Sequence, residues 1–99
     1  MRDFEPFRRH LAAAIMEKRL QLGLSQEDLA KRAKLHRTYI SDVERGERNI
    51  SVESLRRLAV ALGATMWQLI KEAEDKLGDE IVGDLVVAGR ESRTAVGVE

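Results

Sequence analysis

Ninety-nine residues are enough for one small domain, and the chain contains no cysteine, so disulfide and thiolate chemistry do not arise. Seventeen basic and seventeen acidic side chains cancel to a net charge of zero, which argues against indiscriminate binding to nucleic acid. No apolar run approaches the roughly 20 residues of a membrane span, and the N-terminus lacks an apolar signal core. We therefore expect a cytoplasmic protein that does not contact a membrane.

The charges are unevenly distributed along the chain. Between residues 31 and 57, eight basic residues stand against four acidic ones, whereas six acidic residues stand against two lysines between residues 71 and 84. This polarity predicts that one end of the fold faces phosphate and the other faces away. A scatter of solvated charges is the alternative interpretation.

The first three helices are predicted from apolar spacing and from residues that start or stop a helix. The first covers residues 7–22, with an apolar stripe from Phe7 to Leu22, and Gly23 ends it. The second begins after Ser25, which has the capping-box spacing to an acid three residues later. The third covers residues 37–45 and ends at a glycine.

Two more helices follow, and no strand pattern occurs among the five. The fourth covers residues 52–62 after the cap Ser51, and the fifth begins after the cap Thr65 and ends near Leu77. These elements predict an all-α, five-helix bundle.

The domain is therefore expected to span residues 7–77, followed by a C-terminal extension over residues 78–99. Periodicity does not decide the structure of this extension, for which one more short helix, β-branched strands from Val86 to Val98 and disorder are the alternatives. Its role is dimerisation or partner binding if it is ordered.

The third helix has an apolar face and a polar face. Ile40 and Val43 repeat at helical spacing and are predicted to be buried. The outward face then carries side chains that form hydrogen bonds rather than pack: Arg37, Thr38, Ser41 and Asp42. Insertion into a DNA major groove requires such a short, braced helix, but an ordinary helical hairpin with a solvated face fits the pattern equally well.

Catalysis has little support in the sequence. The two histidines, His10 and His36, have no spacing to other side chains that suggests a metal site or a catalytic triad. We therefore predict no enzyme activity, no metal and no cofactor.

Several motifs together resemble the helix-turn-helix domain of the phage repressor and Cro (XRE-like) family. They are the run Lys18–Ala30, the residues Ile40, Val43, Glu44 and Gly46, and the run Leu58–Gly63. The run Arg-Thr-Tyr-Ile-Ser-Asp-Val-Glu-Arg-Gly-Glu-Arg-Asn over residues 37–49 is similar to the controller proteins of restriction–modification systems. The chain departs from those proteins by continuing for about 22 residues past Leu77.

The resemblance implies that the third helix reads bases in the major groove through Arg37, Thr38, Ser41 and Asp42. Arginine is the natural bidentate partner of guanine O6 and N7, and threonine can donate to a base or pack its methyl group against thymine. Asp42 either accepts from cytosine N4, or excludes phosphate, or pairs with Arg37 or Arg45.

Phosphate contacts are expected at both ends of the helix-turn-helix, where exposed N–H groups and basic side chains attract an anion. The set is Ser25, Gln26, His36, Tyr39, Arg45, Arg48 and Asn49. Partial burial is the alternative for Tyr39, and a free surface side chain is the alternative for Arg48.

Two further roles are implied by the resemblance. Arg19 and Glu44 form an internal ion pair that ties the first helix to the third. Met66, Trp67 and Ile70 form a dimer interface on the fifth helix, and the alternative for Trp67 is that it covers the edge of its own core.

The predicted function is that of a homodimeric transcriptional regulator on a palindromic operator in double-stranded DNA. RNA polymerase is a further candidate partner, through Glu27 and Asp28, whose other role is to complement the start of the second helix. The alternative function is an antitoxin that represses its own promoter and binds a toxin through its C-terminal segment.

Overall fold

The structure, a computed structural model, describes residues 5–88, with side chains described from residue 6 to residue 79. In this part of the chain there are five helices and no strand: α1 (Glu5–Gln21), α2 (Gln26–Ala33), α3 (Arg37–Glu44), α4 (Val52–Ala61) and α5 (Met66–Ala88). The predicted all-α, five-helix bundle is confirmed. None of these helices is both long enough and apolar enough to cross a membrane.

Side-chain caps fix the starts of three helices. Ser25 Oγ accepts from Asp28 N at 2.9 Å while Asp28 Oδ2 accepts from Ser25 N at 3.1 Å, which completes the predicted capping box. Ser51 Oγ accepts from a backbone N–H of α4 at 3.0 Å. Thr65 and Gln68 exchange a similar pair of bonds, of 3.0 and 2.8 Å, at the start of α5. These bonds satisfy N–H groups that a helix start leaves without an intrahelical partner.

One hydrophobic core lies between the helices. α1 packs along α5, and α2 packs on both α3 and α4. The largest fully buried side chains come from all five helices: Ile15, Leu29, Ile40, Val43, Leu58, Leu62 and Leu69. Burying each such side chain contributes roughly 1.5–3 kcal/mol, so the two short helices of the helix-turn-helix are held by packing rather than by their own propensity.

The fifth helix is longer than the sequence predicted. It continues through Gly78 to Ala88 instead of ending near Leu77. A glycine inside a helix costs only about 1 kcal/mol relative to alanine, and no proline follows to stop it. Strands from Val86 onward conflict with the helical backbone of residues 86–88, and the rest of that alternative lies outside the described residues.

The apolar stripe of α1 also ends differently from the prediction. Leu22 is half exposed, because the helix ends at Gln21 and the chain turns at Gly23. The next buried position after Ile15 is Arg19, four residues later on the same face. A charged side chain therefore occupies a core position of α1, and its partner decides how α3 is held.

Candidate nucleic-acid interface

The third helix buries one face and exposes the other. Ile40 and Val43 are buried in the core. The four candidate base-reading side chains are exposed or half-buried, and their spacing places them on one side of the helix: Arg37, Thr38, Ser41 and Asp42. His36 lies at the N-cap of α3, is exposed and makes no side-chain cap bond.

A buried ion pair ties this helix to α1. Arg19 Nε and Nη2 donate to the two oxygens of Glu44 at 2.7 and 2.9 Å, and Arg19 Nη1 donates to Leu24 O at 2.8 Å. These are the two side chains that the resemblance pairs, and only 10% and 3% of them are exposed. Gln26 Nε2 also donates to Glu44 Oε1, at 2.9 Å. The amide nitrogen of Gln26, a candidate phosphate donor, therefore contacts Glu44 in the structure.

The exposed side chain of Ser25 takes part in the capping box at the start of α2. Its Oγ accepts from Asp28 N, and its hydroxyl group also bonds to the Asp28 carboxylate. The bonds from the Ser25 backbone and then its side chain lower the pKa of Asp28, with smaller contributions from the charges of Lys31 and Arg32 against a small opposing effect of burial. The capping box therefore stabilises the ionised form of the Asp28 side chain.

Tyr39 contacts both the core and a basic side chain. The residue is half-buried against the core, and Arg48 Cζ lies 4.8 Å from the centroid of its ring, which is a cation–π contact. An open cavity of about 370 Å³ adjoins this pair and is lined in part by Lys34 and His36. The ring of Tyr39 is therefore partly buried.

Asp42 is the centre of a network at the C-terminal end of α3. Its Oδ1 pairs with Arg45 Nη2, and its Oδ2 lies 3.6 Å from Arg48 Nε. Arg45 also donates through Nη1 to Ser41 Oγ and pairs through Nε with Glu47 Oε1 at 3.2 Å. Of the partners that the sequence suggested for Asp42, the structure shows Arg45, and Arg48 is an additional one.

Sequence reasoning missed Arg8 in α1. Its Nε donates to Gly46 O at 2.9 Å and its Nη1 donates to Asn49 Oδ1 at 2.8 Å. Gly46 has a φ of +72°, and a Cβ added there would lie 3.4 Å from Arg9 Cγ, so glycine suits both the turn and the close approach of α1. No local sequence pattern predicts these two contacts, because the residues that they join are separated by 38 and by 41 positions in the chain.

The three candidate interface residues of α5 differ in exposure. Met66 and Ile70 are half-buried and pack against the protein's own core. Trp67 is 63% exposed, and Lys71 Nζ lies 5.9 Å from the centroid of its ring. The largest exposed apolar surface of this trio therefore belongs to Trp67.

Two short helices, α2 and α3, are joined by a tight turn. The buried face of α3 is held by the core and by the Arg19–Glu44 pair, and its exposed face is polar. This arrangement defines a helix-turn-helix DNA-binding protein. The sequence profile of the helix-turn-helix family matches residues 15–66, and the chain belongs to this family. The protein is thus a DNA-binding transcriptional regulator related to the restriction–modification controller proteins. The family is one of DNA-binding regulators rather than of enzymes.

Three relatives illustrate this placement. A hypothetical transcription factor of Neisseria meningitidis is 37% identical over 75 residues, which cover 76% of this chain and 71% of that protein. The control protein C.BamHI of Bacillus amyloliquefaciens is 55% identical over 48 residues, which cover 48% of this chain and 59% of that protein. The controller protein C.Esp1396I, solved as a tetramer with its natural 35 base-pair operator, matches with a TM-score of 0.62 and 37% identity, over 68% of this chain and 93% of that one. None of the three is a toxin-binding protein by name, so the antitoxin alternative gains no support.

Proposed function

We propose that the protein regulates transcription as a homodimer on a palindromic operator, in the manner of a restriction–modification controller. One observation carries the proposal: α3 buries Ile40 and Val43 while its opposite face presents polar side chains on a braced support. The likeness to C.Esp1396I, a controller protein solved in complex with its operator, supports binding to an operator.

Base reading is assigned to the exposed face of α3. Arg37, exposed in the first turn, donates bidentately to guanine O6 and N7. Thr38 contacts a neighbouring base through its hydroxyl or methyl group, and Ser41 adds a hydroxyl one turn later. The buried Arg19–Glu44 pair holds these side chains in register with the groove.

Phosphate contacts are assigned to the borders of the same surface, with donors at both ends of the helix-turn-helix: Ser25, Gln26, His36, Tyr39, Arg45, Arg48 and Asn49. Such contacts orient the protein on the duplex and contribute affinity that falls as salt rises, with little sequence preference. Ser25 must share its hydroxyl group between the Asp28 carboxylate and a phosphate oxygen to take part. Gln26 must exchange or share its bond to Glu44 to take part.

A homodimer supplies the second half-site, because one domain that reads a few base pairs binds weakly. Trp67 on α5 is the proposed centre of its interface, flanked by Met66 and Ile70. For contact with RNA polymerase, Glu27 is the acidic candidate, since the carboxylate of Asp28 is held in the capping box. We expect a regulator that binds an operator in this way to work in the cytoplasm.

The test compares two arginine substitutions on an operator selected from a random duplex pool by the wild-type protein. Arg37→Ala should lose about tenfold or more discrimination at one base pair per half-site. Arg48→Ala should weaken all sequences alike and reduce the salt slope by about 0.9. Lys76→Ala, which removes the same charge from the exposed surface of α5, serves as control. If neither arginine substitution alters binding more than the control does, α3 is not the groove-facing helix.

A further inference from the structure

The carboxylate of Asp42 lies between two guanidinium groups that belong to the proposed phosphate-contacting set. One oxygen pairs with Arg45 and the other with Arg48, at opposite sides of the same carboxylate. The Asp42 side chain is 24% exposed, whereas those of Arg45 and Arg48 are 52% and 48% exposed. The carboxylate of Asp42 is therefore less exposed than the two arginines with which it pairs.

Both cations are restrained by the protein. All three guanidinium nitrogens of Arg45 have a partner, in Ser41, Asp42 and Glu47. Arg48 is held by Asp42 on one side and by the ring of Tyr39 on the other. The two acids and two arginines of this network cancel in charge, so this end of α3 offers a phosphate backbone less attraction than its arginines alone would give.

We propose that Asp42 is a specificity-determining residue that acts against DNA of the wrong sequence rather than by reading a base. Its carboxylate competes with phosphate for Arg45 and Arg48 and repels the backbone at close range. Binding to any duplex is thereby weakened, and a stable complex then requires the base contacts of Arg37 and Thr38. Specificity is a difference between two affinities, and a repulsive group raises it by lowering the weaker affinity.

This inference rests on the proposed placement of α3 in the major groove, and it differs from base reading by Asp42 in what it predicts. If Asp42 accepted from cytosine N4, its loss would weaken the operator at one base pair and leave unrelated DNA unchanged. If Asp42 restrains the two arginines, its loss strengthens binding to unrelated DNA.

The experiment uses the full chain with Asp42→Asn, and with Glu47→Gln as matched control. The Glu47 side chain carries the same charge and, among the described residues, pairs with Arg45 but not with Arg48. Dissociation constants are measured for the selected operator and for an unrelated duplex of equal length across a salt series. Asp42→Asn should bind the unrelated duplex about threefold to tenfold more tightly and steepen the salt slope by up to about 0.9, the value for the one opposing charge that is lost. The ratio of the two affinities should fall, and Glu47→Gln should produce less than half of this effect. Asp42→Glu, which keeps the charge, should retain the wild-type affinity for the unrelated duplex.

Two outcomes would overturn the inference, and Arg37→Ala separates them. If Asp42→Asn leaves the unrelated duplex unchanged or bound more weakly while Arg37→Ala lowers the affinity ratio, Asp42 does not act in this way but the groove assignment stands. If Arg37→Ala leaves the ratio unchanged, the groove assignment fails and the inference fails with it. Thermal unfolding of each variant confirms that the compared proteins are folded.

Discussion

Arg8 and Asn49 lie 41 positions apart in the chain, yet Arg8 Nη1 donates to Asn49 Oδ1 at 2.8 Å. The same guanidinium donates through Nε to Gly46 O, so the start of α1 holds the loop that follows α3 at two points. Because this bond uses the amide oxygen of Asn49, the amide nitrogen is the group that Asn49 offers to a phosphate. We therefore propose that Arg8 positions Asn49 for the phosphate contact proposed above.

Removing this support should weaken DNA binding without changing base preference. Arg8→Ala is expected to reduce affinity for operator and unrelated duplex alike, by about threefold to tenfold, because it acts on a backbone contact. The free energy of unfolding of Arg8→Ala should fall by about 1–2 kcal/mol, as for the loss of two hydrogen bonds of which one is exposed. Arg9→Ala, which removes the same charge from the adjacent exposed position, is the control for binding measured by fluorescence anisotropy. An equal loss of affinity in both variants would contradict the positioning role.

The Arg19–Glu44 pair should be strongly coupled in stability. Removing either partner leaves a charge that is almost fully buried, which costs on the order of 3 kcal/mol or more of unfolding free energy. The double variant Arg19→Met/Glu44→Leu should cost much less than the sum of the two single variants. Urea unfolding of all four proteins gives the coupling energy directly.

An exposed arginine–glutamate pair on α4 provides the comparison for this double-mutant cycle. Arg57 and Glu53 are joined at 3.1 Å on α4, with 43% and 64% of their side chains exposed. Water screens such a pair, so its coupling energy should be about 0.3–0.5 kcal/mol. Equal coupling in the two cycles would show that Arg19 and Glu44 do not brace α3 to any special degree.

The Asp28 cap predicts a pH dependence of stability. The pKa of Asp28 is lowered from its ordinary value of 3.8, chiefly by the backbone and side-chain bonds from Ser25. A carboxylate whose pKa is lower in the folded than in the unfolded state contributes stability in full above the unfolded value, and this is lost as the pH falls through the folded value. Asp28→Asn should therefore be less stable than the wild type near neutral pH, and the difference should shrink as the pH falls below about 4.

Thermal unfolding of the wild type and of Asp28→Asn from neutral to acid pH measures the difference in their stability. All other titrating groups are common to the two proteins, so their effects cancel in this difference. Glu27→Gln is the matched control, since Glu27 is the adjacent acid on α2 but takes no part in the capping box. The difference in stability between Glu27→Gln and the wild type should vary less with pH. A gap between wild type and Asp28→Asn that stays constant from neutral pH to acid would show that the cap does not lower this pKa.

Features set by neighbouring residues were predictable, whereas those set by distant ones were not. The Ser25–Asp28 capping box follows from a three-residue spacing, and the two faces of α3 follow from the helical spacing of Ile40 and Val43. The Arg8–Asn49 contact escaped prediction because no periodic pattern connects residues in α1 to a loop beyond α3. The resemblance predicts Glu44 as the partner of Arg19. The spacing of the apolar stripe alone predicts an aliphatic side chain at position 19.

The length of α5 shows a second kind of error. The sequence predicts an end of the fifth helix near Leu77, just before Gly78. Gly23, Gly46 and Gly63 each follow a helix and have a positive φ. Gly78 instead lies within a continuous helix. A glycine permits a left-handed turn but does not impose one, so its effect depends on the residues that follow it.

Trp67 is the chain's single tryptophan, so its fluorescence reports on one position. It is exposed beside Lys71, and an open groove of about 290 Å³ next to it is lined in part by Lys18 and Gln68. Met66 and Ile70 are already partly packed against the core, which leaves Trp67 as the anchor that a second copy of the chain would bury.

If Trp67 is that anchor, dimerisation should move it from water into an apolar contact. Its emission maximum should shift to shorter wavelength as protein concentration rises through the dimerisation range found by sedimentation. Trp67→Ala should raise the dimer dissociation constant about 30-fold, corresponding to an interface anchor of about 2 kcal/mol. Val60→Ala, which removes another exposed apolar side chain from α4, should leave it unchanged. Emission that stays constant while sedimentation shows dimers forming would place Trp67 outside the interface, and an equal effect of both substitutions would indicate non-specific association through exposed apolar surface.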